Sequence, residues 1–317
     1  MLYFSGKEDF RSRPSLRVVF QPKMGDVDDA ACNNGPCRVS EVQAGSLISE
    51  NYFGLARARG VAAPGVLRRL AELASRGVVL RRRLPSRFGK RRLYVSPECG
   101  LRYWRFDLDK IDRVLLEAAE RYVRPGDVVW DVGANVGLFA FAAAHRASQV
   151  LAFEPDPWVA DLLEKTAASF ANVSVIRAAV ADYCGRGELH IARRARGSNF
   201  LLGKGHTQSG GTRCVSEVEV VTLDSLDQPP PHVLKIDVET GELAVLEGAA
   251  QLIRRFRPTV ICEVAKENAC AVTACLHEYE LIDADQGRPV SIAAWNTVAV
   301  HRTAVCSRPF DLAGVES

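Results

Sequence analysis

The chain has 317 residues, 47% hydrophobic and 25% charged, which suits one large globular α/β domain with an accessory segment. Its 41 basic and 38 acidic residues leave a net charge of +3, which excludes polyanion binding by overall charge alone. No apolar stretch reaches membrane-span length and Met1 to Asp9 carries acids where a secretory signal needs a basic then apolar run, so a cytoplasmic protein with no membrane span is expected, its nine cysteines reduced.

Residues 1–60 show no sustained hydrophobic period and are frequent in Gly, Asp, Asn, Ser and Pro, so a loosely ordered N-terminal segment is expected. Cys32 and Cys37 are spaced like Cys270 and Cys275, and His277 lies near the second pair. That pair falls on a predicted helix at a spacing that does not align the thiols, so no metal site is expected.

Residues 61–100 read as a helix plus a basic hairpin. Val66 to Ala74 carries an apolar stripe behind Pro64, and Val78–Arg83 and Arg91–Val95 flank Pro85, Ser86 and Gly89. Arg68, Arg69, Arg76, Arg81, Arg82, Arg83, Arg87, Lys90, Arg91 and Arg92 make the segment strongly basic. A winged nucleic-acid module would have this outline, but base-stacking aromatics are sparse. A solvated edge hairpin, whose charges block edge-to-edge pairing, is the favoured reading, and nucleic acid is not the expected partner.

An α/β domain is expected over residues 101–306, with a tail at 307–317. Ile111–Tyr122 is an amphipathic helix. The next stretch, Val128-Val129-Trp130-Asp131-Val132, reads as a strand buried on both faces, entered through the turn residues Pro125 and Gly126. It runs through Gly133, Ala134, Asn135 and Gly137 into the apolar helix Leu138–His145. A dinucleotide fold requires G-x-G-x-x-G, which is absent, and Asp131 at the strand end repels phosphate and suits an ammonium group. A nucleoside carrying an amino acid, S-adenosylmethionine, fits that description. An ordinary βα turn with Asn135 capping the helix fits the stretch equally well, and the second strand decides.

That strand, Gln149–Phe153, ends in Glu154-Pro155-Asp156-Pro157. An acid there, roughly 20 residues after a glycine turn, is where a ribose diol is gripped, and the prolines stiffen its loop and start the next helix. The third strand begins at Val173 and leads to Asp182, an acid suited to an adenine amino group. Glu188–Ala192 and Val218–Thr222 alternate as exposed strands. The connection Arg193–Cys214 lies where a lid would lie, with Ser198, Asn199 and His206 as its polar contacts. The strand beginning at His232 ends in Asp237 and Glu239, and Pro258–Glu263 ends in Glu263, so five strand exits carry acids: Asp131, Glu154, Asp182, Asp237 and Glu263. Tyr279–Asp283 and Asn296–Val300 read as closing strands.

In order, Asp131-x-Gly133-Ala134-Asn135-x-Gly137, Phe153-Glu154-Pro155-Asp156-Pro157, Lys235-Ile236-Asp237-Val238-Glu239, Pro258-x-x-x-Cys262-Glu263 and Asn296-Thr297-Val298-Ala299-Val300 resemble the FkbM family of S-adenosylmethionine-dependent methyltransferases over residues 90 to 305. The resemblance implies a class I methyltransferase, Rossmann-like α/β fold: a seven-stranded, mostly parallel sheet with its last strand antiparallel and helices on both faces. It implies O-methylation of a small-molecule hydroxyl, on a natural product or a sugar. Asp131, Gly133, Ala134, Asn135 and Gly137 would hold the methionine part of S-adenosyl-L-methionine, Glu154 with Pro155 the ribose, and Asp182 the adenine. Asp237 or Glu239 would be the base, with His232 or Glu263 behind. The chain departs from the family in having Thr240 where glycine is common, with Gly241 next. No metal is required by these motifs, and a homodimer is compatible with them. Two other readings stand beside this one: a nucleic-acid methyltransferase guided by the hairpin, which lacks the Asn/Asp-Pro-Pro-Tyr turn that holds an exocyclic amine, and a non-catalytic cofactor-binding module.

Overall fold

The computed structural model describes residues 64–206 and 210–303; the expected segment 1–60 and the tail 307–317, with Cys32 and Cys37, lie outside the described residues. Helix α1 (Pro64–Ala74) is followed by the hairpin β1 (Leu80–Arg83) and β2 (Arg92–Val95), then by α2 (Arg113–Tyr122). Asp112 starts α2 by accepting from the Leu115 N–H at 3.1 Å, a side-chain cap for an otherwise orphan donor. The βα repeat comprises β3 (Val128–Val132), α3 (Leu138–Ala143), β4 (Gln149–Phe153), α4 (Pro157–Ala167) and β5 (Val173–Ile176). At α4, Pro157 occupies the first turn and the Asp156 carboxylate accepts from Trp158 and Val159 N–H groups.

A separate antiparallel sheet follows, from β6 (Ala179–Val180), β7 (Gly185–Ala192), β8 (Phe200–Leu201) and β9 (Thr212–Val221). Its strands are only half exposed: Leu189, Ile191, Val218 and Val220 are buried with Ala179, Ala181 and Ala244. The chain then returns through β10 (Val233–Ile236), α5 (Glu242–Glu247), α6 (Ala250–Phe256), β11 (Thr259–Glu263), α7 (Ala269–Cys275), β12 (Tyr279–Asp283), β13 (Arg288–Val290) and β14 (Asn296–His301).

The main sheet runs β13-β12-β14-β11-β10-β3-β4-β5, with β3, β4, β5, β10 and β11 parallel and β14 antiparallel to both neighbours. It has eight strands rather than the expected seven. The addition is β13, which folds back on β12 through a turn closed by the Gly287 N–H on the Asp283 carbonyl, with Gly287 at φ +65°. The period-2 alternation of the parallel strands feeds two cores: Val129, Val150, Ala152 and Val233 face one, and Trp130, Leu151, Phe153, Leu234 and Ile236 the other. Truncating a fully buried side chain such as Trp130 or Phe153 to alanine would cost about 3–5 kcal/mol.

Three arginines of the basic hairpin fasten it to the rest of the chain, while Arg81, Arg83, Lys90 and Arg92 are exposed. Buried Arg82 donates to the backbone carbonyls of Tyr103, Trp104 and Arg105; Arg87 pairs with Asp109 and Glu120, and Arg91 reaches the Ser169 carbonyl. Among the described residues no helix is long and apolar enough to cross a membrane.

Candidate active site

The parallel strands bring their exits to one crevice, and its centre is the turn after β3. Gly133 and Gly137 lie at φ +72° and +82°, and Asn135 at +53°. A Cβ on Gly133 would stand 1.9 Å from the Asp237 carbonyl oxygen, so only glycine lets the β3 and β10 exits approach this closely. The Gly133 and Ala134 N–H groups both donate to the Phe153 carbonyl, locking the turn onto β4.

Asp131 is not at the rim. In the sheet register it is level with Lys235 and Ala152, whereas Gly133, Glu154, Asp237 and Glu263 follow the strands' last or penultimate pairs. It is fully buried, and the ammonium it holds is the protein's own: Lys235 Nζ lies 2.9 Å from Asp131 Oδ1, 3.1 Å from the Gly133 carbonyl and 3.2 Å from Asp237 Oδ2. Burial raises the Asp131 pKa and Lys235 opposes it. Burial likewise works against the Lys235 charge, but Asp131 and Asp237 outweigh it and keep the ammonium protonated. Lys235 thereby ties the glycine turn to the β10 exit.

Glu154 lines the cavity although it is only 7% exposed. Its two carboxylate oxygens accept from the Asn135 and Asp156 N–H groups at 2.8 and 2.9 Å. Burial pushes its pKa up to about 8, against those two hydrogen bonds. Pro155 lines the same wall. Asn135 Oδ1 is buried without a hydrogen-bond partner among the described residues.

Across the crevice stand Asp237, Glu239 and Glu263. Burial raises the Glu239 pKa, with a Ser198 hydrogen bond opposing and Asp237 adding to the rise. Burial, then the charge of Asp237, pushes Glu263 up to about 8. Arg102, from the turn Leu101–Trp104, faces the same cavity and pairs with Asp112 at 2.9 Å. After Glu239, Thr240 sits at φ +56°, a conformation costly for a β-branched residue. Its buried hydroxyl accepts from the His206 N–H at 2.6 Å, and the His206 ring pairs with Glu267.

The segment around Arg196 is fastened to α4 and to the loop that carries Glu98. Arg196 donates twice to Asp156, at 2.8 and 2.6 Å, and once to Glu98 at 2.9 Å, while its guanidinium covers the Trp158 ring. Glu98 also takes Arg213 and the Gly77 N–H. Asn199 donates to Asp156 and accepts from the Ala192 N–H, so it is structural, while Ser198 lines the cavity. The cavity so enclosed measures about 310 Å³, within the range of small-molecule sites.

Two expected site residues lie elsewhere. His232 precedes β10 and accepts from the Val128 N–H at the entry end of β3, at 3.0 Å; five extended residues, roughly 16 Å, separate it from Asp237. Asp182 follows β6, in the other sheet, and does not itself line the cavity, although its carboxylate pairs at 2.6 Å with Lys204, which does. Lys235, Arg102, Arg196 and Glu98 are absent from the sequence-derived list. Only Lys235 had a signal, a lone charge inside an apolar strand.

S-adenosylmethionine fits this lining: Glu154 suits a diol, the unpartnered Asn135 oxygen suits an N–H or O–H donor, and the carboxylates suit a cation. Among the described residues no group of three His, Cys, Asp or Glu side chains is placed to hold a metal ion.

Residues 131–280 match the Methyltransferase FkbM domain. The hexuronic acid methyltransferase AglP of Haloferax volcanii is 32% identical over 171 residues, 53% of this chain and 67% of that protein. Among solved structures, the methyltransferase FkbM from Methylobacillus flagellatus KT superposes with TM-score 0.37 at 13% identity, over 64% of this chain and 58% of its own. The precorrin-6y C5,15-methyltransferase from Geobacter metallireducens gives TM-score 0.34 at 13% identity, over 60% of this chain and 86% of its own.

Proposed function

The chain belongs to the FkbM methyltransferase family, and on that premise we propose that it is an S-adenosylmethionine-dependent O-methyltransferase acting on a hydroxyl of a small molecule, a natural product or a sugar. The observation that carries this reading is one cavity lined together by the glycine turn, by Glu154 and by Asp237, Glu239 and Glu263. That the relative AglP is a hexuronic acid methyltransferase adds support for a small acceptor.

S-adenosylmethionine would supply an electrophilic methyl group on a positively charged sulfur. Glu154 would hold the ribose hydroxyls, its oxygens retaining lone pairs beyond those given to Asn135 and Asp156. Gly133 and Asn135 would line the wall against the amino-acid part, with buried Ala134 and Gly137 shaping the turn behind them. Asp131 acts from beneath, by keeping Lys235 charged and so fixing the Gly133 carbonyl and the Asp237 carboxylate.

An alcohol is a weak nucleophile, so a carboxylate takes its proton as it reacts. Asp237 is the proposed base. Glu239 and Glu263 flank it, their pKa values raised by burial, and can relay a proton away from the site. Incubating the protein with methyl-labelled S-adenosylmethionine and a panel of sugars, glycosides, polyols and phenols is expected to give one class of methyl ether. Donor binding with no methylated product from any hydroxyl would overturn the catalytic reading in favour of a binding module.

A further inference from the structure

Trp295 plays no part in what has been described so far, yet it borders the same carboxylates. It precedes β14, and its carbonyl accepts from the Val264 N–H at 2.7 Å, immediately after Glu263 leaves β11. The backbone that carries the indole is therefore pinned to the strand exit that carries Glu263. The side chain is 48% exposed, and it borders a shallow pocket of about 10 Å³ with Asp237, Glu239, Thr240, Glu242 and Glu263, of which Asp237, Glu239 and Glu263 also line the larger cavity. Among the described residues the indole makes no ring stack, no cation contact and no hydrogen bond.

A half-exposed tryptophan alone is unremarkable in a folded protein. An indole fixed beside three carboxyl groups is more specific. A carboxyl group accepts hydrogen bonds in either protonation state and donates one when protonated, so this cluster suits a ligand rich in hydroxyls, which both donate and accept. The indole face is apolar and carries partial negative charge, so it suits polarised C–H groups. A pyranose ring has both properties: a face of C–H bonds and a rim of hydroxyl donors. A phenol brings one hydroxyl to three carboxyl groups, where a pyranose brings several.

We propose that Trp295 is the platform of the acceptor subsite, on which a pyranose ring lies with its hydroxyl rim turned toward Asp237, Glu239 and Glu263. The proposal rests on the methyl-transfer reading of this crevice and narrows its acceptor to a carbohydrate. Trp295 is then a specificity-determining residue, and its replacement should act on acceptor binding rather than on the donor.

The test uses the whole chain saturated with S-adenosylhomocysteine, with methyl β-D-glucopyranoside and D-glucuronic acid as probes and cyclohexanol as the non-sugar control. Saturation-transfer NMR reads ring contact, and calorimetry reads S-adenosylhomocysteine affinity. At least one sugar is expected to show contact through its ring C–H protons, and cyclohexanol much less. Trp295→Ala should weaken that sugar by about tenfold or more, Trp295→Phe should stay within about threefold of the native chain, and both should keep native S-adenosylhomocysteine affinity and unfolding midpoint. S-adenosylhomocysteine binding with no sugar contact, or with equal contact after Trp295→Ala, would overturn the platform alone. Sugar contact in a protein that does not bind S-adenosylhomocysteine would overturn the methyl-transfer reading instead.

Discussion

The two halves of the crevice solve the problem of buried acids differently. On the side of β3 and β4 each carboxyl has a partner built into the chain: Asp131 has Lys235, Glu154 has two N–H groups, and Asp156 has Arg196 and Asn199. On the side of β10 and β11, Asp237 shares Lys235 with Asp131, while Glu239 and Glu263 have no basic partner in hydrogen-bond contact among the described residues. Their pKa values rise because burial and mutual repulsion disfavour a second and third charge. The first half is thus organised before any ligand arrives. The second is held under electrostatic stress, the condition in which proton-transferring groups are commonly found.

That contrast can be broken or sharpened in order of expected effect. Asp237→Asn should lower kcat by about a hundredfold to ten-thousandfold, the range of one lost general base, with donor affinity changed by less than about threefold. An equal loss of donor affinity, measured by calorimetry, would mean that the halves are not separable. Lys235→Met strands Asp131 in the core and should destabilise the fold by about 3–5 kcal/mol. Asp131→Asn combined with Lys235→Met should recover part of that loss in chemical denaturation, since no uncompensated charge is then buried.

The pH dependence of stability is a third handle. Glu154 and Glu263 hold their protons up to about pH 8 in the fold, against an ordinary value of 4.5. Between these limits the folded chain binds protons that the unfolded chain has released. This contribution is therefore fully present below pH 4.5 and is lost as pH rises through 8. The unfolding midpoint of the ligand-free protein should fall over that window, and Glu263→Gln should flatten the slope. The smallest effect concerns Thr240. Thr240→Gly relieves the left-handed backbone but removes the hydroxyl that takes His206, and a net gain of about 1 kcal/mol or less is expected by thermal unfolding.

What was legible in the sequence follows the same division. The strand–glycine–helix unit and the acid after β4 are local features, visible because buried strands need apolar runs and positive φ selects glycine. The short edge strand β13, three residues containing Pro289, carried no periodic signal, so the sheet is one strand wider than expected. The expectation that five acids line one rim assumed equivalent strand ends. Register places Asp131 within its strand, and Asp182 belongs to the other sheet. His232 sits at the wrong end of its strand because a few extended residues span the sheet. Arg196, Glu98 and Arg102 reach the crevice only through contacts between distant segments, which no local pattern encodes.

The most direct measurement is a calorimetric titration of S-adenosylmethionine into the native chain and into Glu154→Gln. Single-site binding to the native chain, weakened about tenfold or more by the substitution, is the result required by a donor held at the β3 and β4 exits. Absence of binding to the native chain, or equal affinity in both, would contradict it.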